Sequence, residues 1–502
     1  MLVTDIIKNS FNNCPDKVAL IFDNDQYTYR QLYKNVLKIA SFLKMQNINK
    51  NDRVALIYSN SPEFIFIHYA IIQAGAISVP IDPILNYSNI LKLLLNSKPK
   101  AIFIQEKYWS NFEIIKDKIK CIETIVANRN AGEEKSLDNI INYNNAEYDF
   151  SDECAYEDDI ALIIYSSGTT GAQKGIILTH KNLIEATKNI DDFMQMCNDE
   201  VEVAPAPYSH LFGIGRVRTI LYKGGTIIIH DGLKKVKDVM ESISRHNATG
   251  FSSTAFTLSL LLTRYYPFFE KHANNLKYIE AGTSSLEIAL KKKLMSLLHG
   301  AKLLMSYGLT EASRAILIDL NKSEKNIHCL GKPCKNVTVS IVDDDLNPVK
   351  NGKIGEMLIK GEVLSPGYWK NDNAEVNYID GALRTGDLGK IDSDGNIYYC
   401  GRKKDIINVG GFKVAAIEVE EALNMHDEID ESAVIGVRDD AGVSVEVIKA
   451  FIVTKNDKRI SEEEIIQFCT KHLEGIKLPR IIEFVEYIPK TATGKLQKGK
   501  LT

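Results

Sequence analysis

From residue 30 to residue 308 the chain keeps exchanging one periodicity for another. Helix-patterned stretches such as RQLYKNVLKIASFLK (30–44) and EFIFIHYAIIQAG (63–75) alternate with short β-branched runs, RVALIYS (53–59) and AISVPI (76–81). The exchange repeats at ILKLLLN and KAIFIQ (90–105), at VKDVMESISRH and ATGFSS (236–253), and at LEIALKKKLMSLL and KLLMSYG (286–308). Short apolar strands set between amphipathic helices are buried on both faces, which predicts parallel sheets covered by helices. There are enough such units for two doubly wound sheet halves.

After about residue 325 the texture changes to short alternating runs separated by turn signals: VTVSIVD (337–343), DDLNPVKNGKIG (344–355), EMLIKG (356–361) and DSDGNIYYCG (392–401). These predict antiparallel strands and hairpins in a small β subdomain. Beyond residue 404 a compact α+β pattern takes over, from VEEALNMH (419–426) to the terminal PKTATGKLQKGKL (489–501). The expected fold is therefore α/β: a large N-terminal domain of two doubly wound halves plus a β subdomain, residues 1–403, then a small α+β C-terminal domain, residues 404–502. EEKSLDNIINYNNAEYD (133–149) is expected to be a polar surface excursion.

The charge pattern narrows the partners. Lys and Arg total 61 against 65 Asp and Glu, with no long single-sign block, so neither nucleic acid nor an anionic membrane surface is expected. The eight cysteines are scattered, without a CxxC pair or a Cys/His cluster at zinc spacing, and are read as reduced packing residues. The N-terminus MLVTDIIKNSFNNC lacks the pattern of a secretory leader, making the cytoplasm the expected location. The most apolar stretch, residues 61–81, is interrupted by His68, Gln73, Ser78 and Pro80 and is read as a buried helix running into a strand rather than a membrane span.

Between the strand candidates Ile160 to Tyr165 and Gly175 to Leu178 lies SSGTTGAQKG (166–175), with Thr179 placed to cap a helix starting near Lys181. Glycines let backbone amides close on an anion, hydroxyls add donors, and Lys174 adds a point charge, a composition suited to a polyphosphate. The register does not make a Walker A loop, and FGIGR (212–216) does not complete a dinucleotide fingerprint. On these residues alone, an ordinary Gly/Ser/Thr connection remains open.

SSGTTGAQKG resembles the phosphate-binding signature of the adenylate-forming superfamily, which includes acyl-CoA and aryl-CoA ligases. PYSHLFGIG (207–215), SYGLTEAS (306–313), GEMLIKG (355–361), RTGDLG (384–389), GRKKDIINVGGFKV (401–414) and PKTATGKL (489–496) follow in that superfamily's order. The resemblance implies a carboxylate attacking the α-phosphate of ATP, release of pyrophosphate, and discharge of the acyl-adenylate onto a thiol. It also implies a mobile C-terminal domain.

By the same resemblance, Ser166, Ser167, Gly168, Thr169, Thr170 and Lys174 would hold the β- and γ-phosphates, although Gln173 stands where the common pattern has proline. Tyr307 would stack on adenine beside Gly282, Thr283 and Ser284. Thr310 would contact the α-phosphate, and Glu311 would be the Mg2+-associated carboxylate. Asp387 would accept both ribose hydroxyls with support from Arg402, since a carboxylate suits a vicinal diol. Lys495 would bridge the substrate carboxylate and the α-phosphate. Lys404 would be the hinge, and Gly410 and Gly411 would line a pantetheine tunnel.

Leu211 occupies the position where relatives that activate amino acids carry an aspartate, so an α-amino acid is disfavoured as substrate. His210, followed by an apolar residue, resembles the acyl- and aryl-CoA ligases, with His210, Leu211, Gly213, Phe251, Ser252 and Thr283 as expected pocket walls. Arg314 is expected to be a salt-bridged surface arginine, the alternative being contact with a second acidic group on the substrate.

The implied activity is an ATP- and Mg2+-dependent acyl- or aryl-CoA ligase acting on a small carboxylic acid. One alternative is a stand-alone enzyme that loads an acyl or peptidyl carrier protein's phosphopantetheine. Another is a binding-only protein, which would have lost Lys495, Glu311 or Asp387. The acid and the oligomeric state are not legible.

Overall fold

The computed structural model describes residues 1–127, 135–143, 150, 155–167, 173–282, 286–298, 300–322, 327–370, 377–438, 446–455, 460–490 and 496–501, with backbone alone at 143 and 167. They form two compact units, one of residues 1–327, 333–338 and 360–383, the other of residues 328–332, 339–359 and 384–502.

In the first unit one sheet runs in the order Gly367–Tyr368, Gln173–Thr179, Ile160–Ser167, Ile77–Pro80, Arg53–Ile57, Ala101–Ile104 and Thr124–Ala127. Pairing is parallel from Ile160–Ser167 to Thr124–Ala127 and antiparallel at the other end. A second sheet places Ala312–Asp319, Lys302–Leu309, Tyr278–Gly282, Gly250–Thr254, Val201–Val203, Thr226–Ile229, Val18–Phe22 and Asp25–Thr28 side by side. Its interior pairs are parallel and its two ends antiparallel. These are the two sheets that the alternating periods predict.

The apolar stretch at 61–81 folds as read. Ser61 caps the helix Pro62–Gln73 by accepting a hydrogen bond from the Phe64 amide, Pro62 takes the first turn where its missing N–H costs nothing, and the strand Ile77–Pro80 follows. Phe64, Ile65, Ile67 and Ile71 are fully buried, each contributing about 1.5–3 kcal/mol of transfer free energy. Among the described residues no helix is long and apolar enough to cross a membrane.

Thr179 and Asn182 form a reciprocal capping box on the helix His180–Met194. The Asn182 side-chain amide also donates to the carbonyls of Glu362 (3.0 Å) and Leu364 (2.6 Å). The helix start is thereby tied to the segment that leads into the edge strand Gly367–Tyr368.

In the second unit Ala382–Ile391 pairs antiparallel with Ile397–Arg402, the β texture expected there. The hairpin Ile406–Val409 and Phe412–Ala415 follows, and then a three-stranded sheet of Ile429–Arg438, Glu446–Thr454 and Ile481–Phe484 with the helices Ala416–Leu423 and Glu462–Cys469. Val419, Leu423, Val434, Ala450, Ile452 and Ile465 are at the centre of its core.

Candidate active site

The strands Ile160–Ser167 and Gln173–Thr179 form an antiparallel hairpin in which Ser166 stands opposite Lys174 and Ser167 opposite Gln173. The serine and lysine expected to meet phosphates therefore leave the sheet together, at the base of one loop. Gly168, Thr169 and Thr170 lie outside the described residues, as do Thr283, Ser284 and Lys495. Gly175 leaves room beside this pair for the Tyr165 ring, which would lie 3.0 Å from a Cβ there. The Lys174 ammonium sits 5.1 Å from the centroid of the Tyr368 ring, within cation–π range.

Tyr368 also reaches the second expected cluster. Thr310 and Glu311 form the turn between Lys302–Leu309 and Ala312–Asp319, with Leu309 paired to Ala312. Glu311 Oε1 accepts a hydrogen bond from the Tyr368 hydroxyl at 2.8 Å, and the Glu311 carbonyl accepts one from the Ser365 amide at 2.8 Å. Burial, and then the Glu311 charge, push the Tyr368 phenol far above its ordinary value, so it remains a donor. Tyr307 is half-buried on the strand before the turn, opposite Ile316. Nothing in the sequence around Tyr368 marks it out; its significance comes from the distant residues on either side of it.

Gly282 ends its strand against the Phe212 ring, which would lie 2.3 Å from a Cβ at that position. Beneath this contact lies a buried charge network. Arg216 binds both oxygens of Glu202 and lies 2.7 Å from Glu280. The Tyr278 hydroxyl donates to Glu202 at 2.7 Å, and Arg314 Nε donates to Glu280 at 3.3 Å. The Arg314 side chain is only 4% exposed, which corrects the expectation of a surface arginine. Its guanidinium occupies space left by Gly215, where a Cβ would fall 2.6 Å from Arg314 Nη1, and it also donates to the Phe212 carbonyl at 3.2 Å.

His210 precedes the helix Leu211–Lys223, and its Nε2 lies 3.3 Å from Asp82 Oδ2. Burial raises the Asp82 carboxyl, but hydrogen bonds from His210 and the Ile84 amide, with the His210 charge, outweigh it and hold the group below the usual carboxylate range. Sequence reasoning did not single out Asp82. Of the other expected walls, Leu211 and Ser252 are buried, Phe251 packs against Phe269 at 5.8 Å, and Gly213 faces the Pro207 carbonyl.

In the second unit Asp387 and Arg402 are register partners, with Arg402 Nε 2.9 Å from Asp387 Oδ1. Thr385 Oγ1 accepts from the Asp387 amide at 3.0 Å and steadies the turn. Lys404 is exposed in the helical turn Lys403–Asp405, whose first residue pairs with Asp344 at 2.8 Å and Glu356 at 3.2 Å. Gly410 and Gly411 make the hairpin turn with φ of 57° and 89°, a left-handed pair that glycine adopts without a side-chain clash. On either side of residues 491–495, Lys490 and Leu496 form an antiparallel bridge.

Comparisons with known proteins identify the family and the fold. A family model described as AMP-binding enzyme matches residues 7–369, and one described as AMP-binding enzyme C-terminal domain matches residues 418–495. The chain is 28% identical to a long-chain-fatty-acid–CoA ligase of Bacillus subtilis, covering 99% of this chain and 93% of that protein. It is 27% identical to 4-coumarate–CoA ligase 2 of Nicotiana tabacum, covering 95% and 89%. Among solved structures, an anthranilate CoA ligase in complex with anthranoyl-AMP superposes with a TM-score of 0.89 at 27% identity, covering 100% of this chain and 96% of that one.

Proposed function

The chain belongs to the AMP-binding enzyme family, and on that premise we propose that it is an ATP- and Mg2+-dependent carboxylate–CoA ligase. It would convert an acyl or aryl acid to its adenylate with release of pyrophosphate, then pass the acyl group to the CoA thiol with release of AMP. The observation that carries this reading is the contact chain from Lys174 through Tyr368 to Glu311. It sets a cation and a carboxylate, the two charges required by a triphosphate and its metal, against one tyrosine, the first over its ring and the second on its hydroxyl.

The chemical obstacle is bringing an anionic carboxylate onto a polyanionic phosphate chain, and fixed cations and donors offset that repulsion. Lys174 and the hydroxyls of residues 166–170 would neutralise the β- and γ-phosphates, with Thr310 at the α-phosphate. Mg2+, when bound, would supply further charge neutralisation, and Glu311 fits it: a hard carboxylate is the usual protein ligand of an ion that arrives on phosphates. Tyr307, Gly282, Thr283 and Ser284 would hold adenine, and Asp387, steadied by Arg402, the ribose. Lys495 would bridge the attacking carboxylate and the α-phosphate.

For the second half-reaction, residues 404–502 would turn about Lys404, bringing Gly410 and Gly411 against pantetheine. Hinges are commonly element-terminal residues of this kind. Leu211 offers no anion for a substrate ammonium, which favours an acid without an α-amino group, and His210 with Asp82 would guard the pocket. The described cysteines form no disulfide, in keeping with a reducing, cytoplasmic site of action.

The test is pyrophosphate release from ATP across aliphatic and aromatic acids, with and without CoA, for wild type and Lys495→Ala. Acid-dependent release that accelerates with CoA and falls at least about a hundredfold in the variant, as for loss of a charge acting in the transition state, is the expected result. Adenylate that CoA cannot discharge would move the reading to a carrier protein. No release with any acid would overturn it.

A further inference from the structure

On the ligase reading, Lys174 and Glu311 serve different parts of Mg·ATP, yet they carry opposite charges and both contact one side chain. In a partly desolvated site such a pair attracts strongly, and collapsed onto each other they would be less able to serve either phosphate or metal. That side chain is Tyr368. Its ring centroid is 5.1 Å from Lys174 Nζ, and its hydroxyl is 2.8 Å from Glu311 Oε1.

The tyrosine is itself held from several directions. Its backbone pairs with Ile176, two residues on from Lys174 and so on the same face of the sheet. The Trp369 amide donates to the Gly175 carbonyl at 2.7 Å. The Tyr378 ring meets the Tyr368 ring edge-on at 6.4 Å, and Asn377 Nδ2 lies 3.4 Å from the Tyr368 hydroxyl. Only 8% of Tyr368 is exposed.

We infer that Tyr368 is a positioning residue for nucleotide and metal, resting on the ligase reading. Its ring carries the Lys174 ammonium, its hydroxyl turns one oxygen of Glu311, and these contacts give each charge a partner other than its opposite before Mg·ATP arrives. The two functions separate chemically: phenylalanine keeps the platform and loses the hydroxyl, whereas leucine loses both.

The experiment is calorimetric ATP binding to the full-length protein without acid, in EDTA and in Mg2+, for wild type, Tyr368→Phe and Tyr368→Leu, with thermal midpoints measured alongside. Tyr368→Phe should keep its EDTA affinity within about twofold and lose about tenfold of the gain that Mg2+ brings, the worth of a hydrogen bond to a charged group. Tyr368→Leu should in addition bind about threefold more weakly in EDTA, the worth of one cation–π contact. Equal losses in both media for Tyr368→Phe, with a lowered midpoint, would make the tyrosine merely structural and overturn the assignment, as would wild-type behaviour. A wild-type protein that binds no ATP in either medium would overturn the ligase reading and the assignment with it.

Discussion

Arg216 Nη1 lies 2.7 Å from Glu280 Oε2, and the two side chains are 1% and 0% exposed. Glu280 also accepts from Arg314, and Arg216 from its other side holds Glu202. The network thus joins the helix Leu211–Lys223, which follows His210, to the sheet that carries Gly282 and Glu311.

With these side chains almost wholly out of solvent, Glu280→Ala would leave two buried guanidinium groups short of charge. It is expected to lower stability by about 3–5 kcal/mol, the range for breaking a buried pair from one side. Urea unfolding checks this, and an unchanged midpoint would show that the network is not what holds the helix to the sheet.

Acid sensitivity follows from three histidines. Burial lowers His68 to about 3, helped by the Arg218 charge, and burial lowers His180 and His230 to about 4. The unfolded chain takes up these protons near pH 6.5 and the folded chain does not, so stability is retained above pH 6.5 and lost as pH falls toward 4. Each histidine contributes a slope of about 1.4 kcal/mol per pH unit, together about 4. Urea midpoints at pH 7.5 and 5.5 read the slope, and His68→Leu should flatten it by about a third. A midpoint independent of pH would refute the burial argument.

On the ligase reading, the glycine hairpin would serve the thiol half-reaction and not the adenylation. Gly411→Val places a branched side chain at φ 89°, costing about 1–3 kcal/mol of local strain. Pyrophosphate release without CoA should stay within about twofold of wild type, while CoA-dependent discharge of the adenylate slows by about tenfold or more. Single-turnover kinetics distinguish the steps. Slowing of pyrophosphate release alone would remove the hairpin from the thiol half-reaction.

The parts legible in the sequence were those whose cause is local. Burial on both faces leaves its mark on each strand separately, so the two parallel sheets could be read from alternating periods. Capping is equally local, and the helix after Thr179 begins at His180, one residue from the position expected. Arg314 was misread because its partner Glu280 is 34 residues away and the space for its guanidinium depends on Gly215, on a different element. Tyr368 escaped notice for the same reason: its partner Glu311 lies 57 residues upstream, and nothing in PGYWK signals which charges will flank it.

The pairing of Ser166 with Lys174 also limits how such a loop could diversify. Successive strand residues point to opposite faces, so a one-residue slip in the register of this hairpin would turn Lys174 away from Tyr368. The register of this hairpin is therefore as much a part of the site as the hydroxyls and glycines that would meet the phosphates. Viable variants of this chain are expected to conserve the Ser166–Lys174 register together with the hydroxyl and glycine positions between the two strands.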